Sequence, residues 1–154
     1  SSPRFLRADD WQHATTPHAL ELLRAGLARD YTGTLAQFFE LNMAGKFRDH
    51  ADALAALAVK RPAVRPEVLA PGVALTSGVD LRDEVAAIRA PLLAISGRLD
   101  RLSYSQSSAW LARATGGQHV ELPHAAHVPH LSHGDEVAAH VLAHLSLPPG
   151  GTSA

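Results

Sequence analysis

The 154-residue chain contains no cysteine, which excludes disulfides and thiolate metal sites and leaves the redox compartment open. It also lacks a charge excess of either sign. Fourteen Lys and Arg stand interspersed against 15 Asp and Glu, so there is no basic stripe for nucleic acid and no polybasic patch for a membrane surface. Long apolar runs are missing as well: the longest, Ala53 to Val59, is far short of the roughly 20 residues that span a bilayer. The start, Ser1-Ser-Pro, is neither a methionine nor a charged segment followed by the apolar stretch of a secretory signal. A cytoplasmic location is the expectation these absences leave. One further absence matters more: no Gly-x-Ser-x-Gly, the turn that presents a nucleophilic serine, occurs anywhere in the chain. Histidine, by contrast, is abundant, with seven of the ten between His119 and His144.

Two halves of the chain differ in grammar. Residues 17 to 60 read as all-helical. Thr16-Pro17 is an N-cap with proline at the first helical position, and Leu20, Leu23 and Leu27 recur at helical spacing. Asp30 can cap a second helix containing Tyr31, Leu35, Phe38, Phe39 and Met43, with Gly45 at its stop, and an Ala-rich third helix is predicted from about Asp49 to Val59. Pro62, Pro66, Pro71 and Gly72 predict a non-helical connector. Beyond it, helices and strands alternate. Asp80 is predicted to cap a helix through Ile88, Pro91–Ile95 reads as a buried strand, and Ser103 or Ser105 opens a helix that stops at Gly116-Gly117. His119–Leu122 is a second strand, and a last helix from about Asp135 to Leu145 presents Val137, Val141 and Leu145 on one face. Residues 147–154 are predicted to be a disordered tail. Such alternation implies an α/β fold with a parallel sheet flanked by helices. Two strands do not complete that sheet, so further strands are expected in a part preceding Ser1.

The chemistry gathers where open α/β sheets bind ligands, beyond the carboxyl ends of the strands. Asp100 follows the first strand through Gly97-Arg-Leu, and His127 follows the second through Pro123-His-Ala-Ala. Singly, an aspartate there is often a turn or cap residue and a loop histidine is often surface. Together, acid before histidine on one sheet edge is the back half of a Ser-His-Asp machine in the α/β-hydrolase chain order. The imidazole would take the proton of a serine hydroxyl, and the carboxylate would fix the tautomer and stabilise the imidazolium. A rival reading takes His124, His127, His130 and His133, spaced by three, as zinc ligands. Pro129 interrupts any regular helix there, and no interleaved Asp, Glu or Cys completes a site. His140 and His144 read as solvated helix-face residues.

At these residues the chain resembles the pimeloyl-acyl-carrier-protein methyl ester esterases, α/β-hydrolases of biotin synthesis, over the C-terminal part of their length. The resemblance is carried by Ser1-Ser-Pro-Arg-Phe5 with Asp10-Trp11, Val79-Asp-Leu-Arg82, Gly97-Arg-Leu-Asp100, Ala125-Ala-His127-Val-Pro129 and Leu131-Ser-His133. It implies the C-terminal portion of an α/β-hydrolase with an inserted all-helical cap. Residues 1–9 would end a core strand and lead to the cap, 10–75 would be the cap, and 76–146 the C-terminal part of the core. It further implies that Asp100 is the catalytic acid and His127 the catalytic histidine of a serine carboxylesterase. Its nucleophile would lie outside this chain, so the chain alone is expected to be inactive. Phe38 falls where a cap phenylalanine lines the acyl channel, with Leu23, Met43 and Leu102 as neighbours, although ordinary cap packing explains Phe38 equally well. Neither metal nor organic cofactor is required. Expected partners are an acyl ester, carried on acyl-carrier protein, and the N-terminal half of the hydrolase. The family's carrier-contacting cap arginines correspond here to Gly33, Gln37, Arg48 and Asp52, so only Arg48 keeps the charge, with Lys46 and Arg29 as possible substitutes. Ser103-Tyr104 replaces the usual apolar residue and proline after the Asp-x-Leu turn. The alternatives are another α/β-hydrolase (a short-acyl esterase, lactonase or C–C hydrolase) or an inactive fragment that acts as a binding module.

Overall fold

A computed structural model of the chain describes residues 2–42 and 66–146. The expected Ala-rich third helix, with Met43, Lys46 and Arg48, and the expected tail lie outside these residues.

The first helix, α1 (Pro17–Arg29), begins as the sequence dictates: Thr16 Oγ1 accepts the amide of Ala19, which satisfies one of the donors a helix start leaves free. Asp30 does the same for α2 (Tyr31–Asn42), where Oδ1 accepts the Gly33 amide at 3.0 Å. The two helices pack against each other, and α3 (Pro66–Gly78) packs on α1.

Helix α3 overturns the expected connector. Pro66 sits at its first position, where no amide donor is needed, and Pro71 removes one internal hydrogen bond. Local propensity argued against a helix here, yet Thr76 and Ser77 hydroxyls bond back to the Gly72 and Val73 carbonyls at 2.9 and 2.7 Å. The helix expected from Asp80 to Ile88 contracts to α4 (Arg82–Val85), and the expected cap, Asp80, accepts the Arg82 amide at 3.3 Å. Its carboxylate accepts Arg4 at 2.6 Å and Arg82 at 2.7 and 2.9 Å, and Arg82 also reaches Asp10 at 2.9 Å. The Arg82 and Arg4 guanidiniums hold the Asp80 carboxyl well below the usual carboxylate range. An antiparallel bridge between Arg4 and Asp80 joins the same two segments through the backbone. Arg82 stacks over the ring of buried Trp11, which meets Trp110 edge-on at 5.3 Å.

The sheet is formed by β1 (Leu93–Gly97) and β2 (Gln118–Leu122), parallel, with Leu93 opposite Gln118 and Gly97 opposite Leu122. Helix α5 (Ser105–Thr115) connects them and packs on both. It stops at Gly116, whose φ of 68° is the left-handed C-cap conformation that glycine adopts without a Cβ penalty. After β2 come α6 (Pro129–Ser132) and α7 (Gly134–Leu145). The apolar face of α7 stays largely open: Val137 is partly covered, Val141 is 39% exposed and Leu145 73%. Two strands offer too little surface to cover it.

Candidate active site

Two loops leave the carboxyl ends of the strands and are tied to each other. Arg98 donates its amide to the Leu122 carbonyl at 3.0 Å, and Leu99 donates to Ala125 at 2.9 Å. The approach is so close that a Cβ on Gly97 would collide with the carbonyl oxygens of Ala125 and Ala126. Backbone atoms cannot rotate aside as a side-chain end can. Gly97→Ala is therefore expected to lower the unfolding free energy by about 3 kcal/mol, at the upper end of overpacking costs, measured as a shifted denaturant midpoint. An unchanged midpoint would mean that the loops separate freely.

The tie brings Asp100 and His127 together. Asp100 Oδ1 accepts the amides of Leu102 and Ser103 at 2.8 and 2.9 Å, a turn that fixes the carboxylate. Its other oxygen, Oδ2, lies 3.0 Å from Nδ1 of His127. The Asp100 side chain is 5% exposed and that of His127 31%. A buried carboxylate on Nδ1 favours the tautomer with the proton on Nδ1, which leaves Nε2 as a base. Among the described residues Nε2 has no partner.

A third contact comes from the helical half. The His127 amide donates to the Asn42 carbonyl at 3.0 Å, so the end of α2 seats directly on the histidine loop. The Asn42 side chain folds back onto the Phe38 carbonyl at 2.7 Å. Asn42 and Phe38 both line a cavity of about 480 Å³ together with Leu23 and Leu102. Three of the four proposed acyl-channel residues thus share one cavity, which abuts the Asp100–His127 pair through Asn42 and Leu102. Met43, the fourth, lies outside the described residues, as do Arg48 and Lys46. The Asn42 contact had no signal in the sequence, because it joins residues 85 apart through a main-chain carbonyl.

The other histidines divide. Among the described residues no three His, Asp or Glu side chains converge as metal ligands, so His124, His127, His130 and His133 do not form the rival site. His140 and His144 are half-buried rather than solvated, and Nδ1 of His144 is buried. His119 joins a buried polar network under the start of α5, with Nε2 2.8 Å from the Ser96 hydroxyl, which lies 3.0 Å from that of Ser105. Burial holds the His119 imidazole below its ordinary 6.5; Arg113 acts in the same direction and Glu121 against it.

That shift has a consequence for stability. Below about pH 6.5 the unfolded chain takes up a proton at His119 that the folded chain resists. The contribution of neutral His119 is complete above that pH and declines as the pH falls toward the lowered folded value. Urea midpoints at pH 7.5 and 5.5 should therefore differ more for the parent chain than for His119→Gln. Equal differences would show that His119 is free to protonate in place.

No family model matches the chain. Curated relatives do: a pimeloyl-acyl-carrier-protein methyl ester esterase from Stenotrophomonas maltophilia strain R551-3 is 38% identical over 98% of this chain, and one from Nitrosospira multiformis is 30% identical over 92%. The chain spans 61% and 55% of their respective lengths. Among solved structures, an esterase from Exiguobacterium antarcticum superposes with a TM-score of 0.82 over 94% of this chain and 54% of its own, at 16% identity. A bromoperoxidase from Bacillus anthracis superposes at 0.78 over 94% of this chain and 55% of its own, with 18% identity. At such identities these structures speak for the fold alone, and they agree on its class. The chain therefore has the fold of the α/β-hydrolases, consistent with a C-terminal portion of it, and the curated relatives it is similar to are pimeloyl-acyl-carrier-protein methyl ester esterases.

Proposed function

We propose that these residues are the cap and C-terminal core of a serine carboxylesterase that removes the methyl group from pimeloyl-acyl-carrier-protein methyl ester in biotin synthesis. The observation that carries this reading is the contact of buried Asp100 with Nδ1 of His127 at 3.0 Å. The names of the curated relatives supply the substrate. In this reading residues 10–75 form the cap and 76–146 the core.

A serine outside the chain attacks the ester carbonyl while Nε2 of His127 takes its proton. The same nitrogen returns the proton to the departing methanol, which leaves an acyl-serine. Water then attacks the acyl-serine, His127 again serving as base, and the free acid departs with the serine restored. Asp100 orients the ring throughout and offsets the charge of the imidazolium. The cavity holds the acyl chain against Leu23, Phe38 and Leu102, where apolar burial favours a chain of several methylenes at about 0.8 kcal/mol each. Arg48 and Lys46 are the proposed carrier-protein contacts, and no metal or organic cofactor takes part in any step.

The test is hydrolysis of p-nitrophenyl butyrate and of the carrier-linked methyl ester by a complete hydrolase containing this sequence. A serine-directed phosphonate should abolish both activities, and residues 1–154 alone should turn over neither substrate. Turnover by residues 1–154 alone would refute the assignment of the nucleophile to another part of the protein. Preference for a lactone or a C–C substrate would redirect the reading within the same fold.

A further inference from the structure

The cavity beside Asn42 has walls of one kind and charges of one sign. Leu20, Leu22, Leu23 and Phe38 make it apolar, while Arg29 and Arg101 also line it, and among the described residues no carboxylate does. Elsewhere Arg4 and Arg82 pair with Asp80 and Arg24 with Glu21, while Arg7, Arg89, Arg98 and Arg113, which do not line this cavity, form no ion pair among the described residues. Arg29 and Arg101 have no ion-pair partner among the described residues. Asp100, next in sequence to Arg101, is already taken, with Oδ1 on two backbone amides and Oδ2 on His127.

Simpler explanations account for part of this. Arg29 occupies the last turn of α1, where a cation complements the helix dipole. That argument does not extend to Arg101, which is on no helix, nor to the lack of acidic residues among the described residues around an apolar space. We propose that this cavity takes an anionic amphiphile, an apolar chain bearing a carboxylate or a phosphate, with the chain on the leucines and Phe38 and the anion on Arg29 or Arg101. For turnover this rests on the esterase reading, which it deepens: the preferred ester would carry a negative charge besides its reacting carbonyl. For binding it stands alone, since every residue it uses belongs to this chain.

Four probes of one chain length separate the possibilities: octanoate, octyl phosphate, octanol and octylammonium, titrated by calorimetry into the chain and into Arg29→Gln/Arg101→Gln. Octanoate, octyl phosphate or both should bind about fivefold tighter than octanol, as exposed ion pairs allow. Octylammonium should bind weakest. The preference should shrink in roughly 0.5 M salt, where exposed charges are screened. In the double variant it should vanish while octanol affinity holds. A preference for octyl phosphate alone identifies phosphate as the anion, one for octanoate alone a carboxylate. Equal binding of octanoate, octyl phosphate and octanol, tighter octylammonium, no binding of any probe, or an anion preference that survives in the double variant would overturn the proposal. Both arginines are exposed, so the variant should fold; should it not, the ranking of probes by the parent chain still decides. Failure of the esterase reading appears elsewhere, as turnover that survives loss of His127, and leaves the binding result untouched.

Discussion

Replacing His127 by alanine in the complete hydrolase should lower turnover about ten-thousandfold, the scale on which a Ser-His-Asp site depends on its base. The loss should fall on kcat rather than KM, because the imidazole acts on a proton that moves only as the carbonyl is attacked. The fold should survive. The side chain of His127 is partly exposed, its amide still donates to Asn42, and Asp100 keeps the amides of Leu102 and Ser103. The carboxylate is therefore not left buried and unpaired, the circumstance that makes removal of an ionic partner so destabilising. The checks are steady-state kinetics on a methyl ester together with a thermal melt. A drop smaller than about tenfold, below what a positioned general base contributes, would remove His127 from the mechanism. A large drop with a collapsed melt would point to structure instead.

What the sequence made legible was local or periodic. Thr16 and Asp30 cap helices because their side chains reach amides three residues on. The stop at Gly116 follows from the only residue type that adopts a positive φ without a Cβ penalty. The two strands could be read as apolar runs of strand length, and Asp100 and His127 as the residues just past them. What escaped was settled through space. Pro71 and Gly72 argue against a helix in any local scale, and α3 forms nonetheless, packed against α1. Asp80 reads as a cap and accepts the Arg82 amide, but it also anchors two arginine side chains, one of them 76 positions away. The seat of Asn42 on His127, the Ser96–His119 network and the gathering of Arg29 and Arg101 around one cavity all join segments that no short window contains. The Asp100–His127 pairing was therefore more legible than its surroundings: residues just past strand ends sit at fixed places on a fold, while the pocket around them depends on how helices meet.

Asp100→Asn separates orientation from mere presence of a polar group, and it too should cost about ten-thousandfold in kcat. The substitution keeps the size of the side chain and one oxygen. Two backbone amides, from Leu102 and Ser103, hold that oxygen at the Oδ1 position, since an amide nitrogen placed there would set donor against donor. The asparagine NH2 must then occupy the place of Oδ2, 3.0 Å from Nδ1 of His127 in the parent chain. A donor facing Nδ1 requires that nitrogen to be the acceptor, which moves the ring proton to Nε2. The nitrogen needed as a base then carries a proton, and the imidazolium formed during attack loses its counter-charge. Nitrogen-15 shifts of the His127 ring would report the tautomer directly: Nδ1–H in the parent, Nε2–H in the variant. A slow variant with the ring inverted establishes Asp100 as the orienting acid. A near-normal rate with the parent tautomer retained would mean that another carboxylate supports His127, and that the buried Asp100 serves only the turn that Leu102 and Ser103 close.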